Sequence, residues 1–362
     1  MKPDKGDEIE DLVEEASSSA FLTDFVVRNP KFKKQSGELK EAADFLVPFS
    51  PDLLAFQVKS KIEEKPGSEK TRVDFDRIHK RIDKGIKQLN TIRRAISANQ
   101  IQELQNARGI RIPFEAIESK KLIGIVILEL IGEEKLPEEE RTALYGGYTY
   151  QHDMPVHIFR LSDYREIVKE IDTIPDFVDY LNVRQLFYER NIMGPMTEEL
   201  DYLAIFKTQP EIIQKCLNGE CDYLMIQEDT WKGYIADHEG ARKTREKLNR
   251  PSLVIDEIIN HLHESIGHNP KLVPQLGNTK ADQGTVENYF LGVTELSKLT
   301  RITRRIVGEK LLDKMKKADK TGHGHGLILN QKENTAILVL SSNRPQHERG
   351  TALYNLCSIA YC

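Results

Sequence analysis

Residues 41–59, Glu-Ala-Ala-Asp-Phe-Leu-Val-Pro-Phe-Ser-Pro-Asp-Leu-Leu-Ala-Phe-Gln-Val-Lys, restrict the fold more than any other stretch of the chain. Two short apolar runs flank Pro51-Asp52, a pair suited to a tight turn. With those two as the turn, Phe45 faces Val58, Val47 faces Phe56 and Phe49 faces Leu54 across an antiparallel hairpin. Side chains alternate across a strand, so these apolar residues share one face. The other face receives Asp44 against Lys59 and Leu46 against Gln57. The register that buries the apolar face therefore gathers a carboxylate, an amide and an ammonium on the other. A one-residue slip would break both patterns at once. Pro48 cannot donate to a ladder and points to an edge or a bulge there.

The segments that follow fit one plan. Residues 74–96 carry Ile78, Ile82, Ile86, Leu89, Ile92 and Ile96 at helical spacing, after the Lys65-Pro66-Gly67-Ser68 loop. Residues 121–131, Lys-Leu-Ile-Gly-Ile-Val-Ile-Leu-Glu-Leu-Ile, form the continuous apolar run of a strand buried on both faces. Strand, helix and strand in that order make a crossover unit, expected to be right-handed. A further strand at 154–161 and a first helix at about 7–27 complete an αββαββ arrangement with a mixed sheet.

This hairpin resembles the core of the PD-(D/E)xK nuclease superfamily, in which an Asp begins one strand and a (D/E)xK triplet lies on the next. Here the triplet is Gln57-Val58-Lys59, and its amide makes it similar to the QxK variants among nuclease-related-domain proteins and restriction enzymes that cut modified DNA. Asn29-Pro30-Lys31-Phe32 followed by Glu41-x-x-Asp44 also looks like that subgroup. The resemblance covers roughly residues 10–165. It implies a restriction-endonuclease-like core and metal-dependent cleavage of DNA. Such hydrolysis needs a metal that polarises the phosphate and lowers the pKa of bound water. Mg²⁺, or Mn²⁺ in its place, takes oxygen ligands, usually one or two carboxylates with waters and phosphate. Asp44 is the expected carboxylate, and the Gln57 side-chain oxygen and Val58 carbonyl are neutral ligands. The amide at 57 costs charge, so a second carboxylate is expected nearby: Glu41 first, then Glu38, Glu14 and Glu15. Lys59 orients the attacking water or stabilises charge on the phosphorane.

Charge bears on the substrate. The chain holds 52 Lys plus Arg against 57 Asp plus Glu, a net of −5, so no global attraction to nucleic acid exists. The charges are nonetheless segregated. Residues 77–94 contain seven bases and one acid, and 296–320 contain nine bases and three acids. Arg77, Lys80, Arg81 and Lys84 are the expected phosphate contacts, since such contacts supply most non-specific DNA affinity. The plainer reading of each run is a solvated helix face.

At 362 residues the chain should form two domains, a nuclease domain over 1–170 and a mainly helical regulatory or recognition domain over 171–362. The second half reads as helices at 198–217, 242–248, 252–266 and 282–315, strands at 325–329 and 336–340, and a last helix at 348–361. No apolar run approaches the roughly 20 residues needed to span a bilayer. The N-terminus is polar and acidic, without the marks of a secretory signal. Four cysteines suit a reducing compartment, which makes the cytoplasm the expected location.

Weaker patterns carry less. His263-Glu264 and His268 miss the zinc-protease spacing by one residue. His323 and His325 in Thr-Gly-His-Gly-His-Gly lack the Gly-Lys-Ser/Thr of a phosphate loop and read as a flexible turn. Cys216 with Cys221, and Cys357 with Cys362, read as free thiols rather than zinc ligands. Phe177, Tyr180, Phe187 and Tyr188 read as a helix core face. The sequence thus predicts a metal-dependent DNA endonuclease of an anti-phage defence or restriction kind. A homo-oligomer and a defence-system partner protein are the further associations this implies. The competing prediction is a nuclease-fold module that binds nucleic acid or a partner without cutting.

Overall fold

The apolar alternation of residues 41–59 becomes β4 (Phe45–Phe49) and β5 (Asp52–Ser60) in the computed structural model. It describes residues 5–33, 37–49, 51–60, 75–107, 109, 111–114, 121–129, 147–192, 198–237, 239–268, 293–330 and 335–342. The strands pair antiparallel, but Phe45 faces Phe56, Val47 faces Leu54 and Phe49 faces Asp52. The register is therefore displaced by two residues from the expected one, and Asp44 comes opposite Gln57 instead of Lys59. A two-residue shift leaves every side chain on its expected face, because the pleat repeats every two residues. The turn moved because Asp52 enters the ladder, where it also lies beside Lys121.

A six-stranded mixed sheet grows from this hairpin. Its order is β1 (Val27–Arg28), β4, β5, β8 (Lys121–Glu129), β10 (Met154–Arg160) and β9 (Tyr148–Gln151). β5, β8 and β10 run parallel to one another, β4 and the edge strand β9 run antiparallel to them, and β1 pairs antiparallel with β4 on the other edge. The run 123–128 in β8 is buried throughout, as its unbroken apolar sequence requires. β1 reaches only Phe45 and Leu46, so Pro48 lies where β4 has no partner on that side among the described residues.

The connection from β5 to β8 runs through α2 (Phe75–Ser97) and a small antiparallel pair, β6 (Glu103–Gln105) and β7 (Arg111–Pro113). Ile78, Ile82, Ile86, Leu89 and Ile92 of α2 are buried while Lys80, Lys84 and Lys87 are exposed. Fully burying side chains such as Leu89 and Ile92 contributes roughly 1.5–3 kcal/mol each. The helix lies close on the sheet. A Cβ on Gly124 would meet Leu89 Cδ1 at 2.9 Å, and one on Gly85 would meet both Val126 methyls at 3.2 Å.

The opposite face is covered by α1 (Lys5–Phe21) and α3 (Leu161–Glu170). Ser17 Oγ lies 2.7 Å from Tyr164 Oη, and the Tyr164 ring meets Phe56 edge-on at 6.0 Å. The first helix is shorter than expected. After Phe21 the chain makes a 3₁₀ turn at Thr23–Phe25 and enters β1.

The compact units divide at 240/241, whereas the sequence places a boundary at 170/171. The reason is packing: α4 (Ile174–Glu189) joins the sheet's own core through Phe21–Phe177 and Tyr164–Phe177 ring contacts at 5.1 and 6.1 Å. α5 (Glu199–Thr208), α6 (Pro210–Leu217) and α7 (Thr230–Asp237) belong to the same unit.

The second unit holds α8 (Glu239–His268), α9 (Arg301–Thr321) and the antiparallel pair β11 (His323–Asn330) and β12 (Thr335–Ser342). The segments expected at 242–248 and 252–266 form one helix that continues through Pro251. α9 crosses at that point, and a Cβ on Gly308 would lie 2.0 Å from the Pro251 carbonyl oxygen, so only glycine fits. His323 and His325 lie in β11 rather than in a turn. The helix instead stops one residue earlier, at Gly322 in the left-handed conformation (φ 84°). The expected last helix at 348–361 and most of 282–300 lie outside the described residues.

Candidate active site

Asp44, Gln57 and Lys59 come together at the end of the β4–β5 hairpin, and all three are buried, at 7%, 1% and 8% exposure. The Val58 backbone N–H donates to Asp44 Oδ2 at 2.5 Å, so the carboxylate is fixed by the strand it faces. The Lys59 ammonium donates to Gln57 Oε1 at 2.8 Å and to the Val58 carbonyl at 2.9 Å, and Asp44 Oδ2 lies 3.5 Å away. Three oxygens, from Asp44, Gln57 and Val58, thus converge on one cation. Burial pulls the Lys59 ammonium below its usual pKa. Asp44 opposes that, Lys84 adds to it, and Glu10 opposes it.

Two of those influences come from outside the hairpin. Lys84 is exposed on α2, directly before Gly85, whose Cα faces the Gln57 side chain. Glu10 belongs to α1. In the sequence Lys84 is an expected phosphate contact and Glu10 has no expected role. The signal for Glu10 was its place one helical turn before Glu14, on a helix expected beside the site.

Glu41 ends β3 (Leu39–Glu41), which pairs with β2 (Lys31–Lys33) so that Glu41 faces Lys31. Glu41 is exposed, yet the loss of solvent on its inner side and then the Asp44 charge push its carboxyl up, while Lys59, Lys31 and Arg28 pull it down. Glu41 is therefore within the field of both Asp44 and Lys59. The other glutamates expected here stand elsewhere. Glu14 accepts from Arg28 at 2.8 Å, in a cluster where Arg28 also meets Asp11 at 2.6 Å and Glu10 at 3.5 Å. Glu15 and Glu38 are exposed. Among the described residues, no three His, Cys, Asp or Glu side chains form a group able to hold a metal ion.

Of the expected phosphate contacts, Lys80 and Lys84 are exposed on α2 and Arg81 is half-buried. Arg77 lies in α2, and its side chain is outside the described residues. The second basic run is partly spent on its own unit. Arg301 and Arg304 both turn to Asp256 at 2.6 Å, and buried Arg304 also donates to the Leu299 and Ser297 carbonyls.

A buried polar cluster, not expected from the sequence, lies at Arg184. Arg184 of α4 is fully buried and grips both oxygens of Glu199, at 2.8 and 2.7 Å. Its Nη1 also reaches the Gly147 carbonyl at 2.7 Å and His157 Nδ1 at 3.0 Å. Burial, then the Arg184 charge, holds His157 well below its usual pKa, so the ring is neutral and Nδ1 is the acceptor. The signal was present: Arg184 occupies the stripe Phe177, Tyr180, Leu181, Phe187, where every other residue is apolar or aromatic. Phe177, Tyr180 and Phe187 are core residues, as expected. Cys216 is buried and Cys221 half-buried, and both are free thiols. Cys357, Cys362 and the side chains of His263, Glu264 and His268 fall outside the described residues. No described helix is long and apolar enough to cross a membrane. Compared with family models, with curated proteins and with solved structures, the chain has no significant match to any.

Proposed function

We propose that this protein is a metal-dependent DNA endonuclease whose active site is Asp44, Gln57 and Lys59, with Glu41 as the second carboxylate. The observation that carries this reading is the convergence of Asp44 Oδ2, Gln57 Oε1 and the Val58 carbonyl on a single cationic nitrogen. An oxygen set already shaped around a cation fits a hard divalent ion such as Mg²⁺ or Mn²⁺. When bound, the ion supplies Lewis acidity to the phosphate and an acidified water. The chain's own residues do the rest. Lys59, freed from the oxygens, donates to the phosphoryl oxygens on which negative charge develops. Lys80 and Lys84 hold neighbouring phosphates from the exposed side of α2. The order α1, β4, β5, α2, β8, β10 supports a reading as a restriction-endonuclease-like core, and a role in bacterial anti-phage defence or restriction, in the cytoplasm, would accord with it.

The same contacts favour a second reading. Lys59 and the Val58 N–H between them satisfy the three oxygens and Gln57 brings no charge, as expected of a module that binds without cutting. Plasmid cleavage in Mg²⁺ or Mn²⁺ separates the two. The proposal expects cleavage by the native chain and a loss of at least about a hundredfold in Asp44→Ala and Lys59→Ala, the usual scale for one catalytic group. Cleavage unchanged in both variants, or none with either metal, overturns it.

A further inference from the structure

The last turn of α6 brings two cysteines of the first unit together. Gly219 stands in the left-handed region at φ 78°. The Glu220 N–H returns to the Lys215 carbonyl at 2.9 Å and the Gly219 N–H to the Cys216 carbonyl at 3.1 Å, the bond pair of a Schellman turn. The chain is thereby folded back on the helix, and Cys221 arrives beside Cys216. The two thiols hydrogen-bond to one another, and Cys221 Sγ donates to the Tyr223 carbonyl at 3.2 Å. Since Cys221 spends its proton on that carbonyl, Cys216 is the donor within the thiol pair.

The turn is held from both sides. Arg190 Nη1 donates to the Leu217 carbonyl at 3.0 Å and to the Cys216 carbonyl at 3.4 Å. Past the turn, the Leu224 N–H donates to the Ile192 carbonyl at 2.8 Å. The thiols differ in access, for Cys216 is fully buried and Cys221 is half-buried. One reachable thiol with a second directly behind it is the arrangement of an attacking and a resolving cysteine.

We propose that Cys216 and Cys221 form a reversible dithiol–disulfide site, oxidised by a small-molecule disulfide. The Cys221 thiolate attacks one sulfur of that disulfide, its S–S bond breaks, and the first small thiolate leaves. Cys216 then loses its proton, attacks the Cys221 sulfur of the mixed disulfide and expels the second small thiolate. The chain has given up two electrons and two protons, and the small disulfide ends as two thiols. Burial, then the contact with Cys221, pushes the Cys216 thiol up to about 12, which agrees with Cys221 attacking first. Oxidation removes the Cys221 S–H and with it the bond to the Tyr223 carbonyl, so the two states differ next to exposed Tyr223 and Met225. In a reducing compartment such a bond is transient, as a redox-sensing site requires. The proposal is independent of the nuclease reading.

Equilibration of the full chain with glutathione and glutathione disulfide tests it, read by acid quenching, alkylation in denaturant and tryptic mass spectrometry. Both cysteines fall in one tryptic peptide, residues 216–232, separate from Cys357 and Cys362. The expected product is that peptide unalkylated and lighter by two hydrogens, with both thiols regained in dithiothreitol. The equilibrium should favour the bridge at least about tenfold more in the native chain than in the same chain unfolded in guanidinium, because the fold holds the thiols together. Cys216→Ala should stop at the mixed disulfide on Cys221, whereas Cys221→Ser should leave Cys216 fully open to alkylation. Two alkylatable thiols persisting in excess glutathione disulfide, a mixed disulfide that stays on Cys221 of the native chain, or equal equilibria in the native and unfolded chains would overturn the proposal.

Discussion

Gln57 decides whether the oxygen cluster carries enough charge to keep a divalent ion against Lys59. The amide accepts from the ammonium as well as a carboxylate would in geometry, but it contributes no charge to a metal. Gln57→Glu should therefore tighten Mn²⁺ binding by about tenfold in calorimetric titration, equivalent to about 1.4 kcal/mol. Affinity equal to that of the native chain would mean that position 57 does not face the ion. At this scale the sequence was highly legible. Burial of Phe45, Val47, Leu54 and Phe56 on one face obliges Asp44, Gln57 and Lys59 to share the other, whichever even register the turn selects. The register itself was not legible, because two turn positions two residues apart satisfy the same alternation. Glu10 and Lys84 were hidden for another reason: their influence on Lys59 depends on how two helices lie against the sheet, which local pattern does not encode.

The elements sort by length. β5, β8, β10 and α2 each carry enough residues to display a period, and each was readable. The strands β1, β2 and β3 have two or three residues and show none. β9 was missed because its two-residue turn to β10 uses His152 and Asp153 at φ 53° and 59° instead of the glycine that usually marks such a turn. The start of α3 offers a test of its electrostatics. Asp163 is buried against Arg160 at 2.6 Å, yet burial, as the largest influence, pushes its carboxyl from 3.8 up to about 7. A carboxyl whose folded pKa is raised favours the folded state at low pH and loses that advantage as pH rises towards the folded value. Asp163→Asn fixes the neutral form. Its stability relative to the native chain should therefore climb between about pH 4 and pH 7 and then level off, with a ceiling of roughly 4 kcal/mol. Urea denaturation across that range checks this, and a difference that stays constant with pH would contradict it.

Across the whole molecule, the division into 1–240 and 241–362 was the least legible feature. Composition does not change at 240, and the helices after 170 look independent until Phe177 and the Arg184–Glu199 pair are seen packed with the sheet. Charge at this scale is also partly misleading. The two basic runs look alike in sequence, but α2 exposes Lys80, Lys84 and Lys87 beside the site, whereas α9 commits Arg301 and Arg304 to Asp256. On the proposed function, DNA would lie along α2 and the hairpin of the first unit, with no part for the second unit's basic helix. That function stands on Asp44, Gln57 and the Val58 carbonyl acting as a divalent-cation site. Anomalous scattering from crystals of the full chain grown with Mn²⁺ tests the site directly. The expected result is a manganese peak coordinated by Asp44 and Gln57 with the Lys59 ammonium displaced from the oxygens. Lys59 still seated on all three oxygens, with no manganese between Asp44 and Gln57, would contradict it.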